Sequence, residues 1–496
     1  MKKKPFYITT TLPYVNAEPH IGHAMEFIRA DIIARSKKLA GFDVFFNTGA
    51  DEHGIKIYQK AKQAGMEPQA LVDQNTAKFK EILPLLGIMS EANFVRTTDP
   101  HHIRAAQEFW RIVDKNGFIY KKDYSVKYCV GCEQEKTESE LVNGRCSLHP
   151  LQELEIIQEK NYFFKFSAFQ TKLLELYASR SDFVVPDFRF NEIKAFVRRG
   201  LEDFSISRLK SKMPWGIGVP GDPEQVMYVW FDALVNYISA VGWPDDEIQG
   251  KKEAGSFNKW WVETGGVVQY CGKDNLRYQS AMWQAMLLAA GLPPSKTIVI
   301  NGWITGKGGV KMSKSLGNAV DPLEIVKGYG TDALRYYVSR ELSPFEDSPF
   351  TMEKFKEAYN AGLANGLGNL VSRVMKMAAD NSVSYEDYDG VGEDTNIGKN
   401  FYSFSHARNY DSFNIKEETD DVWKTIAALD VFIQREQPFK KIKSDPVSGK
   451  KDIAYLLSHL LRIAVRLEPI MPQTSLAIQD LVKRRQMPTA PLFARK

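Results

Sequence analysis

The chain has 496 residues, 44% hydrophobic and 25% charged, a balance that suits a soluble globular protein of roughly two to four compact units. No run reaches the ~18 apolar residues needed to span a bilayer. The basic start Met1-Lys2-Lys3-Lys4 leads into Pro5, Thr9, Thr10, Thr11 and Pro13 instead of an apolar signal core. These features lead to the expectation of no membrane span, no secretion signal and a cytoplasmic protein, while a net charge of +4 identifies no partner by itself.

In chain order, Phe6 to Thr10 is predicted as a strand, Ile21 to Ala40 as a helix closed by Gly41, and Val44 to Thr48 as the next strand. This is a βαβ unit, the opening of a parallel sheet. Strand signals recur at Met227 to Phe231, Val267 to Cys271 and Thr297 to Asn301, with helices near Ala233 to Ala240 and Tyr278 to Ala290 between them. The sheet therefore reads as split by an insertion from about Asn116 to Glu224. From about Thr351 helical periodicity takes over, at Glu357–Ala379, Asp420–Glu436 and Asp452–Glu468, which predicts a separate helix bundle. Asp380 to Asn396 reads as a helix–helix connection.

Four constellations carry chemistry. His20-Ile21-Gly22-His23 opens the first helix, where unpaired N–H groups favour phosphate. Gly22 permits close approach, and the two imidazoles can donate to a triphosphate; the alternative is an ordinary surface pair. Within the insertion, Cys129, Cys132, Cys146 and His149 form two knuckles spaced as a closed tetrahedral zinc site. Cys271 lies apart and reads as a buried thiol. Lys311-Met312-Ser313-Lys314-Ser315 follows Gly306, Gly308 and Gly309, as a mobile basic loop that can close over pyrophosphate. In the bundle, Asn369 and Arg373 share a helix face, and Phe439 follows Pro438; these read either as base recognition or as a helix cap and a core Phe. From Lys440 to Lys496 there are 12 Lys and Arg against 4 Asp and Glu, which is either a solvated surface or a face for polyanions.

The His-rich helix start and the Lys-rich loop together resemble the signature pair of class I aminoacyl-tRNA synthetases. Leu12-Pro13-Tyr14, Gly49-Ala50-Asp51-Glu52-His53-Gly54, Tyr228-Val229-Trp230-Phe231-Asp232-Ala233 and Gly272-Lys273-Asp274 narrow the likeness to the methionyl-tRNA synthetase family. The resemblance implies an α/β fold: a Rossmann-like parallel-sheet catalytic domain (1–115 and 225–320), split by a zinc-containing connective insertion (116–224). A stem-contact region (321–350) and a helical anticodon-binding domain (351–496) would follow. It implies ATP contacts from His20, Gly22, His23, Gly272, Asp274, Lys311 and Lys314, with His20, His23, Lys311 and Lys314 as the catalytic set. It also implies a methionine pocket of Leu12, Tyr14, Asp51, Trp230, Ala233, Leu234, Tyr237, Asn275 and Gln279. Asn275 and Gln279 stand where isoleucine and histidine are usual in the family, and Phe439 where tryptophan is usual. Asn369, Arg373 and Phe439 would read the anticodon. The expected activity joins methionine to its tRNA, initiator and elongator, through a methionyl adenylate. Structural Zn2+, Mg2+ with ATP and a monomer are expected as well. Two rivals are another class I synthetase and a catalytically silent tRNA-binding paralogue.

Overall fold

The computed structural model describes residues 3–136, 141–248, 250–310, 312, 320–388 and 410–496. Contacts divide the chain into two units. The first comprises Met1–Pro19, Asp43–Ile82 and Ser90–Ile300; the second comprises His20–Phe42, Leu83–Met89 and Asn301–Lys496.

The first unit is built on a six-stranded sheet. Its strands in chain order are β1 (Pro5–Thr10), β2 (Asp43–Ala50), β3 (Asn93–Arg96), β4 (Val184–Val185), β5 (Val268–Gly272) and β6 (Thr297–Asn301). Their spatial order is β3-β2-β1-β5-β6-β4. β1 pairs in parallel with β2 and β5, β2 with β3, and β6 with β4. β5 is buried at every position, as is β6, which is why both read as unbroken apolar runs without alternation. The core fills with aromatics, among them Trp110, Trp261, Trp283, Phe109, Phe231 and Tyr237.

The strand expected at Met227–Phe231 is not part of this sheet. Asp222–Met227 pairs antiparallel with Ser207–Leu209 and Gly218–Val219, and the chain then turns into the short helix Val229–Ala233. A five-residue apolar run fits either a strand or a buried turn of helix, and periodicity cannot separate them. Two edge strands escaped the sequence: β3, which is short, and β4, only two residues long and contributed by the insertion. The insertion also carries a long antiparallel ribbon, Ile119–Cys129 against Glu155–Phe164, and two helices, Gln170–Ser179 and Asp187–Arg198.

The second unit contains α1 (Ile21–Leu39) and a run of helices from Pro322–Tyr329 to Pro472–Arg484. The expected helices are found as Met352–Ala358 continuing through wide turns into Asn369–Asp380, then Ile415–Glu436 and Pro446–Leu467. The start of the Asp380–Asn396 connection holds a single turn at Tyr385–Asp387, and its part from 389 onward lies outside the described residues. Arg335 ties this unit together. Its buried guanidinium donates to Asp31 Oδ2 at 2.7 Å and to the carbonyls of Ile470 and Pro469. Among the described residues no helix is long and apolar enough to cross a membrane.

Candidate active site and metal centre

In the first unit, the loops after β1 and β2 are zipped together at the carboxyl ends of the strands, where open α/β sheets bind ligands. Asp51 N–H donates to Pro13 O at 2.9 Å, and Val15 N–H donates to Asp51 O at 3.1 Å. This sets Tyr14 opposite Asp51. Leu12 packs with Val95 and Ala240. Asp51 is 9% exposed, and among the described residues its Oδ1 has no hydrogen-bond partner. Burial, followed by the charges of Asp232 and Glu133, pushes its carboxyl well above the usual range. An orphaned, crowded carboxylate oxygen is a strong attractor for a cation.

Asp232 is fully buried and touches His53 Nδ1 at 3.1 Å, with His102 Nε2 at 3.8 Å. Burial works to raise its carboxyl, but the two histidines outweigh that and hold it below the ordinary value. The turn that carries Asp232 also carries Trp230 and the buried Ala233 and Leu234. The Trp230 ring stacks on Tyr278 with centroids 3.9 Å apart and planes 6° from parallel.

Gln279 is completely buried, so its amide requires partners. It has them: Oε1 accepts from Gln269 Nε2 at 2.6 Å, and Nε2 donates to the Tyr237 hydroxyl at 2.7 Å. The departure from the usual histidine is thus satisfied inside the protein. Gly272 ends β5, and Asp274 and Asn275 lie on the turn that follows, Asp274 exposed and Asn275 half-buried.

In the second unit, His20 caps α1. Its Nδ1 accepts from Gly22 N–H at 3.1 Å, and the His20 N–H donates to His23 Nδ1 at 3.2 Å. The two rings stack with centroids 3.8 Å apart. An accepting Nδ1 is unprotonated, so each neutral ring carries its proton on Nε2, the form that can donate to an anion. Ile21 N–H donates to Val320 O at 3.2 Å. The chain that follows the Lys-rich loop therefore returns to the first turn of α1. Lys311 and Lys314 themselves lie outside the described residues, whereas Met312 is buried and its N–H donates to Ile304 O.

The insertion brings Cys129, Cys132, Cys146 and His149 together, with donor atoms all within 4.8 Å of one another. Two turns of the same form present them: Cys132 N–H donates to Cys129 O, and His149 N–H to Cys146 O. The turns touch so closely that a Cβ on Gly131 would lie 2.4 Å from the His149 ring. Cys132 Sγ lies 3.4 Å from Cys146 Sγ and 3.2 Å from His149 Nδ1, and Cys129 Sγ lies 3.8 Å from that nitrogen. Bond lengths of about 2.1–2.3 Å around tetrahedral zinc require donor–donor edges of about 3.4–3.8 Å. The donor set suits such an ion, and the three separations of 3.2–3.8 Å lie close to those edges.

In the helical region, Asn369 is exposed at the start of its helix, and Arg373 one turn later is paired to Asp430 at 2.8 Å. Phe439 is 44% exposed at the start of Pro438–Ser444, so it is not a core residue. Several residues that shape these sites were not assigned a role from sequence: Glu133, His53, His102, Tyr278 and Trp215, whose Nε1–H donates to Glu52 O. His53 lies inside a recognised motif, two residues after Asp51, a signal that was present. Glu133 and Tyr278 adjoin Cys132 and Gln279 in the chain, whereas His102 and Trp215 are joined to the site only by folding.

Comparison with known proteins identifies the family. A family model described as tRNA synthetases class I (M) matches residues 6–149 and 131–375. The chain is 40% identical to a methionine–tRNA ligase of Thermosynechococcus vestitus, over 95% of this chain and 89% of that one. It is 39% identical to one of Thermotoga maritima, over 98% and 76%. Among solved structures, Mycobacterium tuberculosis methionyl-tRNA synthetase in complex with methionyl-adenylate superposes with a TM-score of 0.87 at 34% identity, covering 96% of this chain and 94% of that one. The chain belongs to the class I tRNA synthetases, in their methionine–tRNA ligase family.

Proposed function

We propose that this chain activates methionine with ATP and transfers it to the terminal adenosine of methionine tRNA, initiator and elongator alike. The observation that carries the reading is the partnerless Oδ1 of buried Asp51 at the strand ends. The substrate ammonium supplies the missing donor in a charge-assisted bond. Leu12, Tyr14, Trp230, Ala233, Leu234 and Tyr237 give an apolar and aromatic wall suited to a thioether, Gln279 fixes the Tyr237 hydroxyl, and Asn275 borders the entrance.

The methionine carboxylate attacks the α-phosphorus and expels pyrophosphate. No protein nucleophile is needed, so catalysis is positioning plus stabilisation of phosphoryl charge. His20 and His23 hold phosphate oxygens at the amino end of α1, near which Gly22 leaves room. Lys311 and Lys314 neutralise the departing pyrophosphate, and Mg2+ enters with ATP. Gly272 and Asp274 meet the ribose. Asn369 and Arg373 address anticodon base edges, and Phe439 offers an exposed ring for stacking. Cys129, Cys132, Cys146 and His149 would hold Zn2+, which would serve as a structural cross-link between the two turns. The protein acts in the cytoplasm as a monomer.

Methionine-dependent ATP–pyrophosphate exchange, followed by charging of purified methionine tRNA, tests the reading. Activity is expected with methionine and not with isoleucine, valine or leucine; exchange driven by another amino acid overturns it. Lys314→Ala should abolish exchange and keep tRNA binding, which separates an enzyme from a silent RNA-binding paralogue.

A further inference from the structure

Glu133 directly follows Cys132, on the first of the two metal turns, and has a left-handed backbone with φ of 52°. Its side chain is folded inward, only 4% exposed. One carboxylate oxygen, Oε1, accepts two hydrogen bonds: from the Tyr14 hydroxyl at 2.7 Å and from the Lys56 N–H at 2.8 Å. The Glu133 carbonyl accepts a third, from the Tyr228 hydroxyl at 2.6 Å.

Lys56 is the second residue of α2 (Ile55–Gln63), whose N-cap is Gly54. A glycine cap has no side chain to satisfy the orphan N–H groups of the first turn. Glu133 supplies the missing acceptor from a different element, with its negative charge at the favourable end of the helix. The Lys56 ammonium adds a bond to the carbonyl of Gly131, between the two cysteines of the same turn. Gly54 itself has φ of 116°, and a Cβ there would lie 2.7 Å from both Glu133 Oε2 and the Tyr14 hydroxyl. The residue that leaves the helix uncapped also makes room for its cap.

The metal turn is thus pinned to the loop that carries Tyr14, to the start of α2 and to Tyr228, two residues before Trp230. We infer that Glu133 is a positioning residue for the amino-acid site: it fixes the Tyr14 hydroxyl and the start of α2, so that the shape of the metal turn sets where Tyr14 stands. The inference rests on the reading that Tyr14 lines the methionine pocket. It assigns the knuckle a specific effect on amino-acid affinity, beyond holding the insertion together.

The test uses the full chain with its zinc content measured. The variants are Glu133→Ala, Glu133→Gln, Tyr14→Phe and the Ala/Phe double variant. Methionine Kd is read by equilibrium dialysis without ATP, KM values for methionine and ATP by pyrophosphate exchange, and the unfolding midpoint by calorimetry. Loss of the hydroxyl anchor in Glu133→Ala should raise methionine Kd and KM by about 5- to 50-fold and leave the ATP KM within about twofold. Glu133→Gln should recover most of that loss, because both side-chain bonds converge on one oxygen that an amide reproduces. In the Tyr14→Phe background, Glu133→Ala should add little.

A Glu133→Ala variant that lowers only the midpoint, or raises both KM values together, overturns the inference and leaves Glu133 as a helix cap. So does a full additional loss in the double variant. If Tyr14→Phe raises methionine Kd and Glu133→Ala does not, positioning fails while the pocket reading stands. If Tyr14→Phe has no effect on methionine Kd, the pocket reading itself fails. Should Glu133→Ala not fold, Glu133→Asp carries the same comparison, because one methylene less withdraws the acceptor from Tyr14.

Discussion

Replacing Asp51 by asparagine should make the protein more stable and nearly blind to methionine. The carboxyl is buried, one oxygen is partnerless, and burial together with Asp232 and Glu133 pushes its ionisation upward. A carboxyl raised in the folded state favours folding when protonated. Its contribution therefore weakens as pH rises through the interval between the ordinary carboxylate value and the raised one. At pH 7 the wild-type chain bears that cost, and the Asn variant, of nearly the same shape, does not. Leaving a charged acceptor unsatisfied costs more than the roughly 1–3 kcal/mol of a neutral one. A gain of about 1–2 kcal/mol follows, or about 2–4 °C in midpoint. The gain should shrink as pH falls toward 4. Methionine binding should change the opposite way: losing one partner of a buried charged pair costs about 2–5 kcal/mol, a Kd weaker by about 30-fold to several thousandfold. Because the ammonium prefers ionised Asp51, wild-type Kd should fall with rising pH, and the Asn variant should lose that dependence. Calorimetric melts at pH 4 to 8 and methionine titration of both proteins provide the assay. An Asn variant that melts lower at pH 7 and still binds methionine normally refutes the reasoning.

Gln279→Leu should cost about 2–4 kcal/mol in urea unfolding, because Gln269 and the Tyr237 hydroxyl would both lose a buried partner. Asp31→Ala should cost about 3–5 kcal/mol, since it strands the wholly buried Arg335 guanidinium; denaturant midpoints of the second unit check it. Phe439→Ala should change stability by no more than about 0.5 kcal/mol, given its exposure, and raise the tRNA KM by about 5- to 150-fold through lost stacking. Cys146→Ser should lower bound zinc as measured by mass spectrometry, with faster proteolysis confined to the insertion.

What the sequence settled by itself was whatever depends on neighbours along the chain. The spacing Cys129-x2-Cys132 and Cys146-x2-His149 is a local matter of two turns, each closed by one backbone hydrogen bond, so both could be read in advance. The opening βαβ unit was legible for the same reason: strand, helix and cap signals lie in adjacent residues. The class and family followed from strings whose order survives without any knowledge of distance.

Tertiary structure decided what depends on distant partners. Whether Met227–Phe231 was a strand or a turn of helix depended on Ser207–Leu209 and Gly218–Val219 claiming the preceding residues. Whether Gln279 was a defect depended on Gln269 and Tyr237 reaching it, and whether Phe439 was core depended on nothing covering it. Tyr14 and Glu133 stand 119 positions apart, and no periodicity joins them. Asp51 acquired its character in the same way, from Asp232 and Glu133 brought beside it in a largely buried place. Hydrogen bonds and charges act through space, and only the folded chain fixes which groups are close enough to feel them.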